Sequence, residues 1–150
     1  MIHHLSLGVI EARRKDVVIH TLALYYDHET PAVSVCIDTE ENSEAQAVSV
    51  SAYSRQRFTE AVAEGDLERA ARWHGSSDRS FALGNFHMVN VARMELSREF
   101  TPTKAFFLML VKSLVAAEPA VVAQAKMPSS LILCCTGADD EVQFIWAAAS

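Results

Sequence analysis

Residues 17–38 read VVIHTLALYYDHETPAVSVCID, and the fold class turns on them. The first ten positions are β-branched and aromatic-rich and apolar on both faces, the pattern of a strand inside a sheet. DHETP is polar and ends in proline, which marks a turn. In the next segment Val33, Val35 and Ile37 alternate with Ala32, Ser34 and Cys36. Two such runs joined by a few turn residues predict a β-hairpin. A second hairpin is expected near the end of the chain, where SLILCCT (130–136) and VQFIWAAA (142–149) flank GADDE (137–141). Two hairpins far apart in sequence predict one antiparallel sheet of about four strands with helices packed against it, an α+β domain.

The segments between the hairpins supply the helices. Residues 2–14 place Ile2, Leu5, Val9 and Ala12 on one helical face. Ser43 and Gln46 have the spacing of a capping box. The helix expected after them carries Val50, Tyr53, Phe58, Ala61 and Val62 on one face, and Gly65 is placed to end it. LERAARW (67–73) predicts a short helix. Residues 81–99 satisfy two patterns: Phe81, Asn85, Met88, Val89, Ala92, Leu96 and Phe100 fit a helical face, while FHMVNVARMEL (86–96) alternates for part of its length. A helix is the expectation there. In TPTKAFFLMLVKSLVAAE (101–118), Thr101 is the expected N-cap, Pro102 the first helical residue, and Pro119 the end or a kink. Trp73, Phe106, Leu110, Leu114, Leu22, Leu24, Ile132 and Ile145 are expected in one core. With no repeat or Gly/Ser-rich linker in the sequence, residues 1–150 read as a single domain.

The composition narrows the function. Half of the 150 residues are hydrophobic and 21% are charged, which excludes intrinsic disorder. A formal charge of −6 repels phosphates, so a nucleic-acid partner is not expected and a basic protein partner fits better. The three cysteines, Cys36, Cys134 and Cys135, form no CxxC pair and read as buried thiols in a reducing cytoplasm. The first residues lack the apolar run of a signal peptide. The apolar stretch over 105–117 is interrupted by Lys112, so no membrane partner is expected either.

Catalytic motifs are weak. No pair among the six histidines has the helical spacing of H-E-x-x-H, and neither metal nor cofactor is expected. The segment RWHGSSD (72–78) brings His74, Ser76, Ser77 and Asp78 together, and a small hydrolase using His74 with Ser76 or Ser77 is the competing reading. Known triads draw on separated parts of a chain, so the segment reads better as the corner of a fold anchored by Trp73. The acidic residues stand out more. Asp38, Glu40 and Glu41 follow one expected strand, and Asp139, Asp140 and Glu141 follow another. If both strands end at one edge of the sheet, these six carboxylates form a docking surface for a cationic partner. The high apolar content also fits a structural homo-oligomer.

The feature order resembles a family of small bacterial domains encoded beside polymorphic toxins and regarded as their immunity proteins. The residues that carry the resemblance are TLALYYD (21–27), VSVCIDTEE (33–41), RWHGSSD (72–78), FHMVNVARM (86–94) and SLILCCTGADDE (130–141). The resemblance implies a cytoplasmic antitoxin that binds a cognate effector and blocks it by occlusion, with no catalytic residues of its own.

Overall fold

A computed structural model describes residues 2–73, 79–125, 128–138 and 142–148. The chain divides into two compact units, one formed by Met1–Glu40 with Ala82–Ser150 and the other by Glu41–Phe81.

The larger unit holds a mixed five-stranded sheet in the order β3-β2-β1-β4-β5. Its strands are β1 (Thr21–Asp27), β2 (Ala32–Asp38), β3 (Met88–Glu95), β4 (Ile132–Cys135) and β5 (Phe144–Ala147). The two expected hairpins are present: β1 pairs antiparallel with β2, and β4 with β5. The sheet itself differs from the expected antiparallel arrangement of about four strands. The hairpins meet through β1 and β4, which run parallel, Thr21 opposite Ile132 and Leu24 opposite Cys135. The fifth strand, β3, comes from the region expected to be helical. There Leu83–Asn85 form one 3₁₀ turn, and the chain then pairs antiparallel with β2.

Leu22, Leu24, Tyr26, Val33, Val35, Ile37, Leu133 and Cys135 line one face of this sheet and enter the core. Two helices complete the core: α1 (Ile2–Arg14) packs on β2 and β3, and α4 (Lys104–Val122) packs on β4 and on α1. The α1 stripe Leu5, Val9 and Ala12 is buried, as its spacing predicts. Gly8 allows the close approach, since a Cβ there would lie 2.7 Å from Val35 Cγ1. On α4 the buried residues are Phe106, Phe107, Leu110, Ser113, Leu114, Ala117 and Val121. Tyr26 joins β1 to this helix, its ring edge-on to Phe106 at 5.3 Å and to Phe107 at 6.4 Å. The α4 N-cap is Thr103, whose hydroxyl accepts from the Phe106 amide, two residues beyond the expected Thr101. Pro119 neither ends the helix nor stops it short of Val122. By length and composition α4 is apolar enough to cross a membrane, with a mean hydropathy of 1.8. In this fold one of its faces is core.

Of the expected core residues, Leu22, Leu24, Phe106, Leu110 and Leu114 are buried. Ile132 and Trp73 are half-buried, and Ile145 is exposed because β5 is an edge strand.

In the smaller unit, α2 (Glu40–Ala63) starts a turn earlier than the capping-box spacing predicts. Ser43 is buried within its first turn and accepts from the Ser80 amide rather than capping the helix. The buried α2 residues are Ser43, Ala47, Ser54 and Ala61. Val50, Tyr53, Phe58 and Val62, expected to face inward, are exposed. Gly65 ends α2 as predicted, with φ of +74°. Its amide donates to the Val62 carbonyl and the Asp66 amide to the Ala61 carbonyl, the paired bonds of a Schellman turn. Asp66 then caps α3 (Leu67–Ala70) by accepting from the Arg69 amide.

Candidate docking surface

The two edges of the sheet are β3 and β5. Along β3 the ladder is irregular. Val35 pairs with Ala92 and Ile37 with Met88, so two steps on β2 match four on β3. The extra residues form a bulge at Val89–Val91, with Asn90 at φ +55° in the left-handed region that asparagine tolerates. Beside this edge runs α1. Turning Leu5, Val9 and Ala12 inward leaves Leu7, Ile10, Glu11 and Arg14 along the flank of α1 that meets β3.

The result is an open groove of about 680 Å³ between the helix and the edge strand. Leu7, Ile10 and Val89 stand in its walls at 42%, 54% and 41% exposure. Three large apolar side chains held in water at one place carry a free-energy cost that a covering partner would relieve. Charges rim the groove. Glu11 pairs with Arg14 at 3.3 Å and with Lys15 at 3.4 Å, and Arg93 emerges from β3.

Arg93 belongs to a polar cluster that ties β3 to the β1–β2 turn. Asp27 Oδ1 accepts from the Glu29 and Thr30 amides, both at 3.0 Å, closing the turn that DHETP predicts. Its Oδ2 meets Arg93 Nη2 at 3.1 Å, and Arg93 Nε donates to Glu95 at 2.7 Å. The Thr30 amide first, with Arg93 and the Glu29 amide, holds the Asp27 carboxyl below its ordinary range against the opposing effect of desolvation. The Arg93 guanidinium is correspondingly raised, chiefly by its bond to Glu95.

Of the six acidic residues expected to form one surface, the described residues include Asp38, Glu40 and Glu41. Asp38 is fully buried. Its Oδ1 accepts from the Thr39 and His87 amides, each at 3.0 Å, so this carboxylate fastens the end of β2 to the segment entering β3 and presents no charge at the surface. Glu40 and Glu41 are exposed in the first turn of α2, where carboxylates are favourable with the helix dipole. Asp139, Asp140 and Glu141 lie outside the described residues.

The hydrolase alternative rests on His74, Ser76 and Ser77, which also lie outside the described residues. Trp73, just before them, packs edge-on against Tyr53 at 5.6 Å, with the Arg57 guanidinium 5.2 Å from the centre of the Tyr53 ring. The three cysteines are buried and unbridged, and burial pushes the Cys135 thiol up to about 12. Among the described residues no three His, Cys, Asp or Glu side chains are grouped to hold a metal ion.

Reading the sequence for charge alone overlooked the groove. Its signal was present: Leu7 and Ile10 are large apolar residues that fall off the Leu5, Val9, Ala12 stripe of their own helix. No family model matches the chain, and no curated protein or solved structure matches it.

Proposed function

We propose that this chain is a protein-binding domain that acts by occlusion, an immunity protein that captures a toxin in the cytoplasm without turning over a substrate. The observation that carries the reading is the groove between α1 and the β3 edge, with Leu7, Ile10 and Val89 exposed in its walls. An apolar centre inside a charged rim is the anatomy of a protein-binding surface. The exposed Glu40 and Glu41, in a chain of net charge −6, support a partner with a basic face, because opposite fields speed encounter. The toxin as partner rests on the resemblance carried by residues 21–27, 33–41, 72–78, 86–94 and 130–141.

The test is co-expression with the product of the adjacent reading frame, scored as growth and as complex formation by calorimetry. Ile10→Asp with Val89→Asp should abolish protection and binding while leaving the melting temperature within a few degrees, since both positions are exposed. Full protection by this double variant, or loss of protection in His74→Ala together with a measurable hydrolytic activity in the wild type, would overturn the reading.

A further inference from the structure

The two sheet edges are treated differently by the sequence. The β3 edge carries the bulge at Val89–Val91 and the charged residues Arg93 and Glu95, features that discourage another strand from adding to it. The β5 edge, Phe-Ile-Trp-Ala at 144–147, has no charge, no proline and a regular register with β4. Phe144 and Ile145 are 37% and 48% exposed.

Main-chain geometry shows which groups this edge offers. The Ala148 amide donates to the Leu131 carbonyl at 3.0 Å. Hydrogen-bonded and non-hydrogen-bonded pairs alternate along an antiparallel ladder. Residues 144, 146 and 148 therefore direct their amides and carbonyls at β4, and Ile145 and Ala147 direct theirs out of the sheet. Among the described residues no strand pairs with β5 on that side.

We propose that β5 is a self-association edge, and that two copies of this chain join β5 to β5 in antiparallel fashion about a two-fold axis beside Trp146. In that register Ile145 of each copy lies opposite Ala147 of the other, and the two residues exchange both of their outward bonds. Four main-chain hydrogen bonds form, and every outward group of the strand is used. Trp146 meets its own copy as a non-hydrogen-bonded pair, where side chains come closest. The contact is isologous, as a closed dimer requires.

Four paired residues alone fall short of the ~800 Å² per partner typical of a stable interface. The dimer is therefore of the weak, concentration-dependent kind. A two-fold axis perpendicular to the sheet joins the two five-stranded sheets into one of ten strands. The groove at each β3 edge stays open at the far ends, so the dimer and the function proposed above are independent.

Sedimentation velocity of the purified chain over a concentration series tests this. The expected result is a concentration-dependent rise to twice the chain mass of 16.5 kDa. Ile145→Pro removes an amide that points away from β4, so the internal ladder survives and the mass should fall back to that of the monomer. On the wild type, amide exchange read by NMR gives a second measurement that needs no variant. The Ile145 and Ala147 amides should be protected at high concentration and lose that protection on dilution, while Trp146 and Ala148 stay protected throughout. A monomer at the highest soluble concentration, a folded Ile145→Pro variant that still dimerises, or unprotected Ile145 and Ala147 amides in a dimer would overturn the proposal.

Discussion

Replacing Gly8 by alanine sets two effects of known size against each other. In a helix interior alanine is favoured over glycine by about 1 kcal/mol. Here, however, the new Cβ would stand 2.7 Å from Val35 Cγ1 and 3.3 Å from Val35 Cβ, inside the 3.4 Å at which ordinary contact begins. Val35 is buried in β2, and a β-branched side chain has little rotamer freedom with which to yield. The helix must therefore lift from the strand, an overpacking cost of about 1–3 kcal/mol. The net expectation is a loss of about 1 kcal/mol, opposite in sign to the helix-propensity prediction. Val35→Ala alone removes two buried carbons, worth about 0.8 kcal/mol each. With the cavity left behind, its total is about 2.5 kcal/mol. In the double variant the alanine methyl at position 8 occupies part of the space vacated at position 35, so the two losses should fall short of additivity by about 1–2 kcal/mol. Urea unfolding of the four proteins measures this coupling. If Gly8→Ala stabilises the protein by the full propensity gain, or if the two losses simply add, α1 does not pack against β2 as described.

Three further outcomes follow from other parts of the fold. The folded Asp27 carboxyl is held below its ordinary value of 3.8, so its stabilising contribution is complete above that value and is lost as pH falls through the lower folded value. Asp27→Asn should cost about 1–2 kcal/mol at neutral pH, from the lost ion pair and weakened acceptor, and should flatten the acid limb of a stability–pH curve; an unchanged limb would count against the cluster. Cys135, raised from 9.0 to about 12, has about a thousandfold less thiolate than an ordinary thiol, and Cys36 and Cys134 are equally buried. All three should react with a thiol reagent only as the protein unfolds, and fast reaction of the native protein would contradict their placement. Gly65→Ala places a side chain at φ +74°, with an expected loss of about 1 kcal/mol in thermal or urea unfolding and a smaller loss for Gly65→Asn.

Local chemistry determined much of this molecule. The turn at DHETP needs only Asp27 and the amides that follow it, and the end of α2 needs only a residue at ease with positive φ, so both are legible in the sequence. The stripes Leu5, Val9, Ala12 and Phe106, Leu110, Leu114 are legible for the same reason, since helical spacing fixes which side chains share a face. Tertiary structure alone decided the rest. In β3 the bulge separates the buried residues Met88 and Ala92 by four positions, the spacing of a helix turn, although β2 meets them with Val35 and Ile37 two positions apart. A strand bulged in this way carries a helical signature, and only its partner strand reveals it. On α2 the large apolar residues Val50, Tyr53, Phe58 and Val62 imitate a core face, while the buried positions are small. No local signal specifies that β4 lies parallel to β1. That one pairing joins the hairpins into a single sheet and makes β3 and β5 its edges. Alternation and turns can be read along a chain, but which strands become neighbours, and in which direction, is set here by contacts between residues more than a hundred positions apart.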